Sequence, residues 1–479
     1  MAESGEMRIG TEERPLRVAI VGSGPSGFYA ADALLTTQDM VAHVDMFDRL
    51  PTPYGLVRGG VAPDHQKIKS VVKVYERSAE SPHFRFFGNV MFGRDILVGD
   101  LTKHYDQIVY AVGNESDRRL GIPGEYLVGV CPATVFVGWY NGHPDYRDAN
   151  FDFSGKRVVV VGNGNVAVDV TRILSLTPDE LAKTDVADYA LEALGRSEIQ
   201  EITMLGRRGP VQAAFTPTEV KELGHLLQAD PVVPPEELEL DPFSSAELER
   251  EGEKSRKGKN MALLREYCER GEGTRPRKIR FKFFVSPLKF LGDEDGNLRR
   301  VRLVRNELYQ EKEGSIGARS TEEFEEIEAD MALVAIGYQG TPLPGVPFDD
   351  KRRILSNTDG RISHPGTGKI VPNQYVVGWA RSGPWGLIGS HKAASAEVVT
   401  HMIEDLIKGA VSDRALPPLE AIPTFFKERG IDFVSFDDWR MLDDVETHRG
   451  RRRGSPRVKF TDVGDMLSVL GIRQSLEGQ

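Results

Sequence analysis

Two glycine-rich turns, Gly22-Ser23-Gly24-Pro25-Ser26-Gly27 and Gly162-Asn163-Gly164-Asn165-Val166-Ala167, each close a β-branched apolar run and open an Ala/Val-rich pattern of helical period. No other feature of the chain limits its fold so sharply. At such a turn a strand must end abruptly and the backbone must approach a pyrophosphate with no Cβ in the way. The next helix must then aim its N-terminus at the phosphates. One match is weak evidence, but two in register, after Arg17 to Val21 and after Arg157 to Val161, predict two dinucleotide sites in one chain.

Strand-like runs alternate with helical patterns through most of the sequence, which predicts an α/β protein of parallel sheets with helical crossovers. Ile108 to Gly113 and Leu333 to Gly337 read as buried strands ending where the chain crosses between domains, and Tyr375 to Trp379 leads through Gly383-Pro384-Trp385-Gly386 into a helical pattern from Leu387 to about Leu406. The organisation expected is two Rossmann-like domains, with residues 116–337 inserted into a discontinuous domain made of 1–115 and 338–479. Residues 1–16 are polar and acidic, without an apolar h-region or Arg-rich transit character, and are expected to be a disordered leader on a cytoplasmic protein.

Composition enters by exclusion. Apolar runs such as Met331 to Ile336 fall far short of the roughly 20 residues of a bilayer span, so no membrane partner is expected. A net charge of -11 argues against nucleic-acid binding. Cys131 and Cys268 stand far apart, so the chain offers no CxxC redox pair and no cysteine set for zinc or an iron-sulfur cluster. Between Lys254 and Lys282 there are eleven Lys/Arg against three Glu, which reads as a solvated, partly mobile connection or as a docking surface for an acidic partner.

The two sites differ at the end of the neighbouring strand. Val44-Asp45-Met46-Phe47-Asp48 places Asp48 at the end of the second strand, where a carboxylate accepts hydrogen bonds from ribose hydroxyls. Beyond the second turn the matching strand, Glu201 to Gly206, ends in Arg207-Arg208 instead. Two guanidinium groups there would pair with a 2′-phosphate, which predicts NADP(H) rather than NAD(H). Ala167, in place of the third fingerprint glycine, agrees with that choice.

Longer segments carry a family resemblance. Leu50-Pro51-Thr52-Pro53-Tyr54-Gly55-Leu56-Val57-Arg58, Gly60-Val61-Ala62-Pro63-Asp64-His65, Phe136-Val137-Gly138-Trp139-Tyr140-Asn141, the second glycine turn and Gly206-Arg207-Arg208-Gly209-Pro210 resemble the adrenodoxin-reductase-like ferredoxin-NADP(+) reductases, which are flavoproteins holding FAD and NADPH. The resemblance runs from about Arg17 to about Leu470. It implies that Gly22, Gly24, Pro25, Ser26, Gly27, Asp48 and Leu56 hold FAD, that the backbone near Phe92 closes on the adenine side, and that Trp379, Gly386, Leu387 and Ile388 meet the isoalloxazine ring. A helix starting there would aim its positive end at the flavin edge that gains negative charge on reduction. For NADP it implies Asn163, Gly164, Asn165 and Val166 at the pyrophosphate, Arg207 and Arg208 at the 2′-phosphate, Glu219 at the carboxamide, and further contacts from Arg118 and Gly386.

His65 and Glu222, the latter one helical turn beyond Glu219, are candidates for a hydrogen-bonded supporting link that tunes the site or relays protons. A purely structural interior role for His65 remains open. Where the family usually has Gly-Trp-Ile-Lys-Arg-Gly-Pro-Thr-Gly, this chain reads Gly378-Trp379-Ala380-Arg381-Ser382-Gly383-Pro384-Trp385-Gly386, and Trp385 is expected to crowd the ring face.

The activity implied is hydride transfer from C4 of NADPH to N5 of FAD, then one-electron steps to a ferredoxin-type iron-sulfur protein that docks on basic residues within 254–282. A flavin disulfide reductase is disfavoured by the missing cysteine pair. A sensor that binds both nucleotides, or an NADPH diaphorase with another acceptor, remains the alternative.

Overall fold

The computed structural model describes residues 9–311, 314–386 and 388–472. Val18, Ala19 and Ile20 are fully buried, as is Val160 in the run Arg157–Val161, so each glycine turn ends a strand covered on both faces, as parallel sheets require. The fold is α/β, and its two Rossmann-like units are separate sheets. The first sheet has seven strands, ordered Asn357–Thr358, Arg361–Ser363, Ile370–Val376, Gln107–Tyr110, Leu16–Val21, Ala42–Phe47 and Phe84–Phe87. Leu16–Val21 pairs in parallel with Ala42–Phe47 on one side and Gln107–Tyr110 on the other, which sets the end of the first glycine turn at the centre of the sheet. One face packs Val18, Ile20 and Val44 against Phe28, Ala31 and Val398; the other packs Ala19, Val21 and Phe47 against Phe87 and Phe426.

The second sheet has six strands, ordered Val130–Pro132, Met331–Val334, Arg157–Val161, Glu201–Leu205, Arg277–Lys282 and Ala229–Val232. The first sheet therefore draws its strands from 16–110 and 357–376, and the second from 130–334. The chain crosses between them at a short antiparallel ribbon, Ser116–Asp117 against Tyr338–Gln339. An antiparallel sheet of Val285–Gly292, Leu298–Gln310 and Ile316–Glu328 covers one face of the second unit, where Val285, Val301 and Leu303 pack on Val159, Val161 and Leu205. The alternation of sequence signals pointed only to parallel sheets, and this insert departs from it.

Three expectations are corrected. Residues 9–16 are ordered: the Arg14 guanidinium spans both oxygens of the fully buried Asp106 carboxylate at 2.9 and 2.7 Å, and Leu16 already opens the first strand. A buried carboxylate needs a cation, and that need draws the end of the leader into the fold. The stretch 254–282 is not a mobile connection, since it contains the helix Arg256–Arg270 and the strand Arg277–Lys282. The helical pattern read from Leu387 begins later, as the helix His391–Ile407 preceded by a 3₁₀ turn, Ile388–Ser390. Among the described residues no helix is long and apolar enough to cross a membrane, and no group of His, Cys, Asp and Glu could hold a metal ion.

Candidate functional site

At the first turn Gly22 has φ +106°, and a Cβ there would lie 2.5 Å from the Ala111 carbonyl oxygen; at the second, Gly162 has φ +135° and a Cβ would lie 2.3 Å from that of Ala335. Both turns are thus wedged against the end of the neighbouring strand and admit only glycine. A Cβ on Gly24 meets nothing within 4 Å, so that position faces open space. Gly27 packs so closely that a Cβ would sit 2.3 Å from the Gly22 carbonyl oxygen, whereas Ala167 is accommodated fully buried, so the second helix stands further from its turn. The helices Pro25–Leu35 and Asn165–Ser175 both start at a glycine N-cap that makes no side-chain capping bond. Their first-turn N–H groups are left for an anion.

At the first strand end Asp48 Oδ2 accepts from the Ser23 N–H at 2.9 Å and the Ser23 hydroxyl at 2.5 Å, while Oδ1 accepts from the Leu50 N–H at 2.9 Å. Gly55 (φ +49°) crosses over the turn, a Cβ on it falling 2.9 Å from Gly24 Cα, and so brings the half-buried Leu56 alongside. Phe92 lies edge-on to Tyr110 with ring centroids 5.6 Å apart. Around the same sheet end several buried polar atoms have no partner among the described residues: both amide atoms of Asn114, Trp379 Nε1 and His391 Nε2. Each such atom costs about 1–3 kcal/mol when left unsatisfied, so their gathering beside an open glycine cradle fits a polar ligand. Tyr338 packs on Trp379 with centroids 5.4 Å apart. Asn114, Tyr338 and His391 were not singled out in the sequence, because nothing local marks them.

Gly386 has φ +87° and leads toward Ile388, which is half-buried; Leu387 lies outside the described residues. Trp385, expected to crowd the ring face, is 74% exposed. Gly383 (φ +89°) and Gly386 bracket it in left-handed backbone that turns the indole outward. Ser382 is exposed, with its hydroxyl on the Gly378 carbonyl at 3.4 Å.

At the second strand end Arg207 is exposed and Arg208 half-buried, and among the described residues neither has a carboxylate within ion-pairing distance. Arg208 Nη1 donates to the Ile316 carbonyl at 3.3 Å. Burial, and then the neighbouring Arg207 charge, pull its pKa down, as happens where a cation waits for an anion. The Asn163 carbonyl accepts from both Ala214 and Phe215 N–H at 3.0 Å, and Asn165 Oδ1 accepts from Thr216 N–H at 2.8 Å. These bonds tie the glycine turn, with Gly164 and the half-buried Val166, to the helix Pro217–Leu223 that carries Glu219 and Glu222. Glu219 Oε2 is buried without a partner among the described residues, and burial raises its pKa. Arg118 is exposed, its N–H donating to the Gly337 carbonyl at 3.1 Å beside the crossing ribbon.

Between the two sheets lies a charged cluster built on Arg172, whose side chain is 3% exposed. Its guanidinium pairs with both oxygens of Asp64 and, at 2.9 Å, with Asp169; Glu222 Oε2 is 3.1 Å from its Nε. His65 Nε2 is 2.9 Å from Glu222 Oε2 and 2.7 Å from Arg172 Nη2. A guanidinium only donates, so Nε2 either donates a hydrogen bond to Glu222 or accepts one from Arg172, never both. Burial depresses the His65 pKa, but the Glu222 bond and the Asp169 charge outweigh it and the net shift is upward. The cluster can therefore hold a proton between His65 and Glu222. Asp169 and Arg172 were missed, although two charges three residues apart inside a Val/Ile helical pattern were a usable signal.

The basic stretch is largely neutralised within the chain. Arg275 and Lys278 both pair with Asp230 at 3.1 Å, Arg280 with Glu201 and Glu272 at 2.8 Å, and Lys257 with Glu247. Arg277 donates to the Ile199 and Leu174 carbonyls at 3.0 and 2.9 Å. Arg275 and Lys278 thus share one carboxylate, while Arg277 meets only neutral carbonyls and keeps its charge.

Residues 16–215, which span both glycine turns, match the pyridine nucleotide-disulphide oxidoreductase family, yet Cys131 and Cys268 are both free. The NADPH-ferredoxin reductase FprA of Mycobacterium tuberculosis (strain H37Rv) is 43% identical over 464 residues, covering 95% of this chain and 99% of that protein. The mitochondrial NADPH:adrenodoxin oxidoreductase of Arabidopsis thaliana is 38% identical over 463 residues, covering 95% of each. The structure of Mycobacterium tuberculosis FprA in complex with NADPH superposes with a TM-score of 0.89 over 95% of this chain and 99% of that one, at 43% identity.

Proposed function

Because the chain belongs to the NADPH-ferredoxin reductase family, we infer that it is an FAD-dependent oxidoreductase that takes electrons from NADPH and delivers them singly to a ferredoxin-type iron-sulfur protein. The single observation that carries the coenzyme choice is the contrast between the two strand ends: a carboxylate, Asp48, at the first, and two guanidinium groups without ion-pair partners among the described residues, Arg207 and Arg208, at the second.

Bound FAD supplies a ring that accepts a hydride and releases electrons one at a time. The chain binds, orients and excludes water. On this reading the seven-stranded unit is the FAD domain and the inserted unit the NADP domain. The uncapped helix starts at Pro25 and Asn165 receive the two pyrophosphates. Asp48 turns from Ser23 to a ribose, and Arg207 and Arg208 take the 2′-phosphate. The unsatisfied Glu219 Oε2 accepts from the carboxamide, and Arg118 adds a phosphate contact. Trp379, packed on Tyr338, bounds the ring seat together with Gly386 and Ile388, and Asn114 and His391 offer it their orphaned polar atoms. His65 and Glu222 hold a proton at Nε2 beside the seat and support the site rather than react. For an acidic partner, the cations of the basic stretch that have no ion-pair partner among the described residues include Lys254, Lys259 and Arg265, all exposed.

A visible spectrum of the purified protein during anaerobic titration tests the reading as a whole. Bleaching of an oxidised flavin spectrum by NADPH at far lower concentration than by NADH is expected. A colourless protein, or equal response to both coenzymes, refutes it.

A further inference from the structure

The two units also meet at a place where the chain buries lysines. Lys69 Nζ lies 2.7 and 2.9 Å from the two oxygens of Asp185, and Lys459 Nζ lies 3.4 Å from Asp185 Oδ1. Lys459 also donates to the Arg58 carbonyl at 3.2 Å and to the Asn141 carbonyl at 3.0 Å. Side-chain exposures are 10% for Lys69, 3% for Asp185 and 1% for Lys459. Lys69 and Lys459 belong to the seven-stranded unit, and Asp185 and Asn141 to the inserted one.

Lys459 lies within a C-terminal strap that touches both units along its length. On its own side the Val458 N–H donates to the Glu446 carbonyl at 2.9 Å, the Phe460 N–H donates to Glu446 Oε1 at 2.8 Å, and Arg457 pairs with Glu446 at 3.1 Å and with Asp443. Across the seam Arg453 pairs with Asp188 and Asp462 with Arg147 at 3.0 Å. The Thr461 methyl lies 2.9 Å from where a Cβ on Gly142 would begin. The Asp185 N–H reaches the Pro63 carbonyl at 3.4 Å, so the seam runs directly into Asp64, His65 and Arg172.

We propose that the strap Arg453–Asp462, through Lys459 and Lys69 on Asp185, fixes the angle between the two dinucleotide units, which makes Asp185, Lys69 and Lys459 positioning residues for hydride transfer. Apolar packing would join the units as firmly with less desolvation, but two lysine side chains converging on one buried carboxylate hold only one geometry. Hydride transfer needs such geometry, since a misplacement of about 1 Å costs up to about 100-fold in rate. The proposal rests on the two-nucleotide reading of the function.

The test uses the holoenzyme carrying Asp185→Asn. Flavin content and the affinity for 2′,5′-ADP, which engages the inserted unit alone, are expected to stay within about twofold. The single-turnover rate of flavin reduction by NADPH should fall by about tenfold or more. The isotope effect with 4-deuterated NADPH should rise, and a broad-specificity protease should cut the crossing segments 111–117 and 335–341 faster. Should Asp185→Asn fail to fold, the double variant Arg453→Ala/Asp462→Asn, which removes the outer strap pairs while keeping a side-chain oxygen to cap the helix Val463–Val469, is expected to show the same pattern with a loss of a fewfold. Lys69→Arg, which keeps the charge, should recover most of the rate. The proposal is overturned if flavin reduction and hinge cleavage match wild type, or if 2′,5′-ADP affinity falls in proportion to the rate. If the wild type itself is not bleached by NADPH, it is the functional reading that fails.

Discussion

Replacing Arg208 by Gln removes a half-buried guanidinium that has no ion-pair partner among the described residues, so the folded chain loses little: stability is expected to change by no more than about 0.5 kcal/mol. Against a 2′-phosphate the loss is larger. A hydrogen bond to a charged group contributes about 1.5–3 kcal/mol, and each 1.4 kcal/mol is tenfold in affinity. Arg208, partly shielded from solvent, belongs at the upper end of that range and the exposed Arg207 at the lower. Arg207→Gln should therefore raise KM for NADPH by about tenfold and Arg208→Gln by up to about 100-fold. The 2′-phosphate is remote from the reacting carbon and is held equally in the ground and transition states, so kcat should stay near wild type. Steady-state reduction of ferricyanide, measured with NADPH and with NADH on each variant, reads these numbers directly. KM for NADH should move by less than about twofold, because NADH carries only a neutral hydroxyl at that position. Equal losses for both coenzymes, or none for either, would refute the assignment of the arginine pair.

Three further outcomes are expected. Arg172→Met leaves Asp64 and Asp169 without their cation inside the seam and should destabilise the protein by about 3–5 kcal/mol, read as a lowered midpoint in urea; a change below about 1 kcal/mol would show that the two carboxylates are solvated without the guanidinium. Gly22→Ala forces a Cβ to 2.5 Å from the Ala111 oxygen and should abolish flavin retention, whereas Gly162→Ala, with 2.3 Å to the Ala335 oxygen, should leave the protein yellow but unable to bind 2′,5′-ADP; loss of the same ligand in both variants would deny that the two turns serve different nucleotides. Burial, with Arg49 adding to it and Asp145 opposing, pulls His143 down to about 4 from an ordinary value of 6.5, and its Nδ1 accepts from the Asp145 N–H at 3.2 Å. The folded state therefore binds fewer protons than the unfolded one, and the contribution of neutral His143 is present above pH 6.5 and is lost as pH falls toward 4. The loss is up to about 3 kcal/mol. Urea midpoints from pH 7 to pH 4 should fall less steeply in His143→Gln, and an unchanged slope would clear His143 of that role.

The sequence by itself determined the parts whose chemistry is local. A strand that ends on a glycine wedged under a carbonyl, a helix that starts without a cap, and a carboxylate or a guanidinium pair at the next strand end are each demanded by a few consecutive residues, so Gly22, Gly162, Asp48, Arg207 and Arg208 could be read before any fold was known. The tertiary structure alone decided what buried charges do with one another. Arg172 gathers Asp64, His65, Asp169 and Glu222 from three separate segments. Asp230, Glu201 and Glu247 pair with Arg275, Lys278, Arg280 and Lys257 of a basic stretch that looked free in the chain, and one carboxylate, Asp185, takes two lysines separated by almost the whole polypeptide. A charge taken out of water must find a counter-charge wherever the folded chain places one, and sequence distance puts no limit on which partner that is.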